Sequence, residues 1–182
     1  MLVVVSGPSG VGKGTVIAES RRIRPDIELC VSMTTRPPRP GEVDGVNYHF
    51  VTRREFKSKI AAGEMLEFAE FSGHLYGTPR ADVVDAMRRD ATVMLEIELE
   101  GARQVKRSFP KALTVMVCPP SMFELASRLR DRGTEDVDEV DQRLQVAERE
   151  LAAVDEFDAR LVNTDVHETA VALLELLDTA AR

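Results

Sequence analysis

Short apolar runs alternate with helical patterns of apolar and polar positions through most of this chain. The apolar runs are typical of buried strands, and they read "LVVVS", "IELCVS", "TVMLEIEL", "ALTVMVC" and "ARLVN". Helical patterns lie between most of them, and a closing helix follows the last. Because alternating strands and helices produce a parallel sheet with helices on both faces, the pattern predicts a three-layer α/β fold.

The stretch from about residue 33 to residue 79 breaks this alternation. It opens with "TTRPPRPGEVDG", which is too rich in Pro and Gly for a helix or a central strand. The strand patterns "YHFV", "EMLEFAEFS" and "HLYGT" follow, with a helix in which Thr52 and Glu55 have capping-box spacing. We therefore predict one domain over residues 1–182, in which a subdomain at about 33–79 is inserted into a core formed by about 1–32, 80–121 and 152–182.

Composition limits the classes of function. The 182 residues, 43% of them hydrophobic, are enough for one well-packed core. No apolar run is long enough to span a bilayer and no basic region precedes the first one, so we expect a cytoplasmic protein without membrane partners. The net charge of −7 argues against a DNA- or RNA-binding surface, although a few arginines in a cleft can still attract a small anion. Cys30 and Cys118 lack metal or disulfide spacing, and we expect reduced core residues.

The stretch "SGPSGVGKGT" has the composition of a phosphate-binding loop. It lies between a predicted strand and a predicted helix, and its glycines let successive N–H groups point at an anion. Lys13 would reach the β- and γ-phosphates of a nucleotide. Gly14 stands where this motif commonly has a hydroxyl that meets Mg²⁺, and the next hydroxyl is on Thr15. The predicted phosphate-binding loop consists of Gly7, Pro8, Ser9, Gly10, Val11, Gly12, Lys13, Gly14 and Thr15.

Two acidic residues end the strand pattern "TVMLEIEL". Glu96 and Glu98 are two apart, so on a strand they would share one face near its carboxyl end. Ligands of parallel α/β sheets bind at that end, and a carboxylate there could orient water on Mg²⁺. The alternative is that one of them only anchors the start of a helix.

Two further features indicate an anionic ligand that carries a nucleobase. Arg36 and Arg39 are three apart in the Pro-rich segment, so their guanidinium groups could project together as a phosphate clamp, although P-x-x-P with flanking arginines also suits an SH3 domain. Glu67 lies between apolar neighbours and is either a solvated edge residue or a carboxylate that accepts from N1 and the 2-amino group of guanine. Adenine has an acceptor at N1 and would be rejected.

The segment at about 122–151 contains two helical patterns joined by "DRGTED". It carries Arg128, Arg132 and Arg143, which a lid could fold onto a transferring phosphoryl group. The alternative is a solvated helical hairpin.

Taken together, these segments resemble guanylate kinases over essentially the whole chain. The matching pieces are "SGPSGVGK", "VSMTTRPPRPGEVDGVNYHFV", "FAEFSGHLYGT", "LEIELEGA", "PPS" and "RGTEDVDEVDQRL". The family transfers the γ-phosphate of ATP to GMP, and the resemblance implies the same reaction here with Mg²⁺ as cofactor. It implies a GMP-binding subdomain at 33–79 and a lid at about 122–151. Glu98 stands where the family usually has Asp, and Gly14 replaces the usual Ser, as in adenylate kinases.

The resemblance also implies roles for individual residues. Guanine would meet Ser32, Glu67 and Thr78, with Glu98 close by. The GMP phosphate would meet Arg36, Arg39, Tyr48 and Tyr76. The transferring group would meet Lys13, Arg132 and Arg143, with Arg36 as a further catalytic cation. ATP would bind along the phosphate loop and would also contact Arg128 and Asn163.

Two other interpretations stay open at this point. A related small-molecule kinase, such as a ribose bisphosphate phosphokinase, would share the phosphate loop. A non-catalytic guanylate-kinase-like interaction module would share the fold, but such modules typically lose loop or clamp residues, which are present here. We expect a guanylate kinase that acts on GMP and dGMP in guanine nucleotide synthesis and recycling.

Overall fold

The computed structural model describes residues 1–71, 73–130 and 137–182. The strands in these ranges are β1 (Leu2–Ser6), β2 (Ile27–Leu29), β3 (Met33–Thr34), β4 (His49–Phe50), β5 (Met65–Phe71), β6 (His74–Pro79), β7 (Thr92–Glu96), β8 (Leu113–Cys118) and β9 (Ala159–Val162). The α-helices are α1 (Lys13–Ile23), α2 (Arg53–Ala61), α3 (Arg80–Arg88), α4 (Leu99–Ser108), α5 (Met122–Arg130), α6 (Val137–Leu151) and α7 (Val166–Ala180), and a 3₁₀ turn covers Val154–Glu156.

The main sheet has the strand order β2-β7-β1-β8-β9, and each neighbouring pair is parallel. Strand β1 lies at its centre and is buried along its whole length. Successive side chains point to opposite faces, so Val3 and Val5 pack with the α1 and α7 side while Leu2 and Val4 pack with the α3 and α4 side. Helices therefore cover both faces, and the predicted three-layer α/β fold with a parallel sheet is confirmed.

A second sheet, with strand order β4-β3-β6-β5, is formed by residues 33–79. Strand β3 is parallel to β4 and antiparallel to β6, and β5 is antiparallel to β6. Its own small core consists of Met33, Phe56, Met65 and Leu75, with Phe56 from α2 fully buried. Helix α2 begins with the capping box predicted at Thr52 and Glu55.

Three element boundaries differ from the sequence prediction. Strand β2 ends at Leu29 instead of continuing to residue 32, and the short strand β3, which was not predicted, forms just before the Pro-rich segment and includes its first residue, Thr34. Strand β7 ends at Glu96, and Glu98 is the N-cap residue of α4, so the prediction that Glu96 and Glu98 share a strand face is wrong. Among the described residues, we find no helix whose length and apolar character would suit a membrane crossing.

Candidate active site

The turn from β1 into α1 forms a tight concave loop. Gly7, Gly10 and Gly12 have positive φ angles of 143°, 87° and 97°, which glycine adopts readily. Other parts of the chain also lie close to these glycines. A Cβ atom at Gly7, Gly10 or Gly12 would lie 2.2 Å from the carbonyl oxygen of Val117, 2.6 Å from Leu129 Cδ2 or 2.6 Å from Asn163 Nδ2, respectively. Glycine is therefore the residue that fits at these three positions of the loop.

The loop is suited to an anion at the start of α1. The N-cap residue is Gly12, so the first N–H groups of the helix point toward the concave side together with the positive end of the helix dipole. Lys13 is only 7% exposed, and its ammonium group donates to the carbonyl groups of Gly7 and Pro8 and lies 3.7 Å from Glu98 Oε1. A cation thus lies directly over the loop.

Two carboxylates, at the end of β7 and just after it, lie on the other side of this cation. Glu98 faces Lys13 from the start of α4. The carboxylate of Glu96 approaches Gly14, where a Cβ atom would lie 3.3 and 3.5 Å from its two oxygens. Carboxylate oxygens suit Mg²⁺ or its bound waters, so the donor type fits the expected Mg²⁺. Within the part of the chain that the structure describes, no cluster of three or more His, Cys, Asp or Glu has the geometry of a metal cage.

Glu150 is a further acidic group at this site that was not among the predicted site residues. It lies near the end of α6, is 9% exposed, and shares a hydrogen bond with Glu98. Burial raises its pKa to about 8, the neighbouring Glu98 adds to the effect, and Lys13 opposes it. Glu150 follows Arg143 by two helical turns, so both residues lie on the same face of α6. This spacing could have indicated Glu150 from the sequence.

The arginines of the helical pair converge on the loop from α5 and α6. Arg143 Nη2 donates to Ser9 Oγ at 2.6 Å. Arg128 donates to the carbonyl of Val11 at 3.2 Å and to that of Asn163 at 3.1 Å, and the Asn163 amide donates to Val11 at 2.8 Å. The structure therefore brings Arg128, Arg143 and Asn163 together at the loop, while the predicted catalytic residue Arg132 lies outside the described residues.

The two arginines of the Pro-rich segment are placed differently from each other. Arg36 is 9% exposed and forms a two-point ion pair with Glu42, whose oxygens lie 2.6 Å from Nη1 and Nη2. Arg39 has an exposed side chain, and its backbone N–H donates to Glu42 at 2.7 Å. Hydrogen bonds from Arg36 lower the pKa of Glu42 to about 2. Glu42 was not among the predicted site residues, although an acid so close in sequence to two arginines was a usable signal.

Aromatic rings form one wall around Arg36. Its guanidinium carbon lies 5.1 Å from the ring centre of Tyr48 and 5.7 Å from that of Phe50. Tyr76 meets Tyr48 edge to face, with the ring centres 6.1 Å apart. Stacking on aromatic rings restricts the orientation of a guanidinium group, so Arg36 is held in place before any ligand arrives.

Glu67 is a buried carboxylate opposite Thr78 on the neighbouring strand β6. It is only 4% exposed, so the alternative of a solvated edge residue is wrong. Thr78 Oγ1 donates to Glu67 Oε1 at 2.7 Å and lies 3.4 Å from Ser32 Oγ, which links the three predicted guanine contacts. Burial raises the pKa of Glu67 to about 7, while hydrogen bonds from Thr78 oppose the rise.

The loop with Lys13 and the site residues of segment 33–79 face one cleft. The charge of Glu98 contributes to the raised pKa of Glu67, and the charge of Glu96 contributes, after burial, to the raised pKa of Tyr48. Glu96 at the end of β7 and Glu98 just after it therefore lie between a phosphate-type site on one side and a buried carboxylate with a cationic clamp on the other. This arrangement suits two phosphorylated ligands that meet near Lys13.

Comparison with known proteins supports the same conclusion. The guanylate kinase family model matches residues 1–180. The chain is 52% identical over 172 residues to the guanylate kinase of Thermosynechococcus vestitus, which covers 94% of this chain and 90% of that protein. It is 54% identical over 176 residues to the guanylate kinase of Thermobifida fusca, with 97% and 90% covered. The crystal structure of guanylate kinase from Anaplasma phagocytophilum matches with a TM-score of 0.81 at 30% identity, covering 98% of this chain and 85% of that one. This chain belongs to the guanylate kinase family of enzymes.

Proposed function

We propose that this protein transfers the γ-phosphate of ATP to GMP, giving ADP and GDP, and that it accepts dGMP as well. The observation that carries the proposal is the buried carboxylate of Glu67 in the same cleft as the loop and cation of Lys13. None of the contacts proposed below involves the ribose 2′-hydroxyl, which is why dGMP should react. The corresponding role is the supply and recycling of guanine nucleotides.

ATP would bind with its phosphates in the loop between β1 and α1. The N–H groups of the loop and the dipole of α1 would hold the β-phosphate region, and Thr15 would donate its hydroxyl to the α-phosphate. Arg128 and Asn163, which already bond to each other and to Val11, would border the adenine.

GMP would bind in the inserted subdomain. Glu67, ionised, would accept from N1 and the 2-amino group of guanine, with Ser32 and Thr78 beside it. The GMP phosphate would meet Arg36, Arg39, Tyr48 and Tyr76. Arg36 is preorganised by Glu42 and the aromatic wall, and Arg39 has an exposed side chain that can turn toward the phosphate.

Catalysis would depend on position and charge. The GMP phosphate is largely dianionic near neutral pH because its second pKa is about 6, so it needs no strong general base. Lys13 would leave the carbonyl groups of Gly7 and Pro8 for the transferring phosphoryl group, and Arg143 would leave Ser9 for the same group. We propose that Arg132 joins them. Mg²⁺, with Glu96 and Glu98 orienting its waters, would neutralise charge on the phosphate oxygens.

The test is a coupled assay of ADP release with ATP, Mg²⁺ and GMP, dGMP, AMP, CMP or UMP as acceptor. We expect turnover with GMP and dGMP, little with the other three, and a loss of turnover when Mg²⁺ is chelated. Faster turnover with AMP or UMP would contradict the proposed base reading, and no turnover with any acceptor would contradict the proposed reaction.

A further inference from the structure

We infer that helix α4 positions the base-reading carboxylate of Glu67, through the missing side chain of Gly101 and the amide of Gln104. Both residues lie in the core portion of the chain, whereas Glu67 belongs to the inserted subdomain. The inference rests on the proposed role of Glu67 in binding guanine and adds two positioning residues to it.

Gly101 lies against the carboxylate. A Cβ atom at this position would lie 2.5 Å from Glu67 Oε2 and 3.1 Å from Glu67 Cδ, which is closer than a side chain can approach. Gly101 is buried within α4 and does not belong to the glycines with positive φ, so its backbone conformation does not require glycine. Glycine is normally unfavourable inside a helix, and here its absent side chain makes the space in which the carboxylate sits.

Gln104 holds the next residue of the same strand. Its Nε2 donates to the carbonyl of Phe68 at 2.8 Å, and the Phe68 N–H donates to its Oε1 at 3.1 Å. Strand β5 is at the edge of its sheet, so the Gln104 amide satisfies backbone groups that β6 does not reach. Gly101 and Gln104 are three apart and lie on one side of α4.

Glu67 is thus fixed from three directions. Thr78 donates to Oε1, Gly101 leaves space for Oε2, and Gln104 fixes the peptide group that follows. A carboxylate that must meet two adjacent donors of guanine loses affinity when it is displaced by even part of an ångström. Because α4 starts at Glu98, which faces Lys13, the same helix sets the position of the base relative to the phosphate site.

Two variants test the inference. Gly101→Ala places a methyl group against Oε2, and Gln104→Met keeps the side-chain length while removing both bonds to Phe68. The matched control is Arg107→Ala, an exposed position on the same helix. Each of the first two should raise the KM for GMP roughly tenfold, the loss expected for one hydrogen bond to a charged group. The kcat at saturating GMP, the KM for ATP and the unfolding temperature should stay close to those of the parent and the control.

A double-mutant cycle separates positioning from a general structural effect. In a Glu67→Ala background, Gly101→Ala should change kcat/KM for GMP by less than about twofold, because the side chain through which Gly101 acts has been removed. An equal loss in both backgrounds, or unchanged GMP kinetics in both single variants, would overturn the inference. Should Gly101→Ala fail to fold, Gln104→Met carries the same cycle. If Glu67→Ala itself leaves GMP use intact, the proposal that Glu67 binds guanine fails and the inference falls with it. A loss of GMP use in Glu67→Ala together with unchanged GMP kinetics in the α4 variants overturns the inference alone.

Discussion

Replacing Glu67 by Gln should stabilise the free protein at neutral pH while impairing its use of GMP. The carboxylate is buried, and burial raises its pKa from 4.5 to about 7 even though Thr78 donates to it. Ionising it in the ligand-free site is therefore unfavourable. Glutamine has the same shape and no charge, so it removes this unfavourable ionisation and also the second acceptor that guanine needs.

The size of the effect follows from the pKa. A rise from 4.5 to about 7 corresponds to about 3 kcal/mol, at about 1.4 kcal/mol per pH unit. The folded state keeps the Glu67 proton to higher pH than the unfolded chain, so unfolding is linked to proton release between these two values. The destabilising effect of the carboxylate is thus absent below about pH 4.5, grows as the pH rises, and is complete above about pH 7.

Urea unfolding at pH 5 and pH 8 measures this difference. The gain in the free energy of unfolding from Glu67→Gln should be larger at pH 8 than at pH 5, by roughly 2 kcal/mol. Glu70→Gln, at an exposed position on the same strand, serves as the control. In the ADP-release assay at pH 8, Glu67→Gln should lower kcat/KM for GMP roughly ten- to a hundredfold. The parent should lose GMP affinity as the pH falls below about 7, because the protonated carboxyl group no longer accepts from both donors.

Two results would refute this reasoning. A stability gain that is the same at both pH values, or a larger one at pH 5, would mean that ionisation of Glu67 is not unfavourable in the free site. An unchanged kcat/KM for GMP would mean that another group reads the base.

Three further substitutions test the phosphate loop and the clamp. Thr15→Val should lower kcat/KM for ATP roughly ten- to a hundredfold, since it loses a hydrogen bond to a charged phosphate, and full activity would exclude that bond. Gly14→Ser should keep activity within a few-fold at saturating Mg²⁺, because the new hydroxyl can donate to the carboxylate of Glu96 that approaches this position, and a collapse of turnover would contradict the proposed loop. Glu42→Gln should raise the KM for GMP roughly tenfold with little change in the KM for ATP, because Arg36 loses its charged partner, and a lower KM would show that the carboxylate competes with the substrate.

Structural features were predicted most accurately where a local sequence pattern has one physical interpretation. The apolar run of β1 and the glycines after it allow little besides a buried strand and an anion loop, and both are present. The Thr52–Glu55 capping box likewise depends only on residues that are neighbours in sequence. Such features can be derived from the chain alone because the interactions that fix them are short-range.

The end of β7 was harder to predict. "LEIEL" alternates like a strand, yet the parallel pairing with β1 ends at Glu96, and Glu98 begins a helix. Where a strand stops depends on the length of its neighbours, which the local pattern does not contain. The observed geometry of the site differs from the predicted one for this reason, because Glu98 faces Lys13 from the start of a helix and not from a strand face.

The residues that contact the predicted site residues were not predicted either. Glu150 and Gly101 each act on a site residue from another element, and Glu42 contacts Arg36 only because the Pro-rich segment folds back on itself. The clamp prediction treated Arg36 and Arg39 as equivalent because polyproline spacing puts them on one side, while the fold buries one and exposes the other. Tertiary packing made that distinction.

The central position of β1 also sets the order of events during synthesis. Its register joins Val3 to Met94 on one side and to Leu113 on the other, so both neighbours of this early strand are made about a hundred residues later. At roughly 5–20 residues per second, a ribosome needs roughly 5–20 s to produce them. Until then the glycine loop has neither Val117 nor Leu129 against it, and its curvature has no support. Nucleotide binding is therefore a late property of the growing chain, and until β7 and β8 are made β1 is an apolar segment without its neighbours in the sheet.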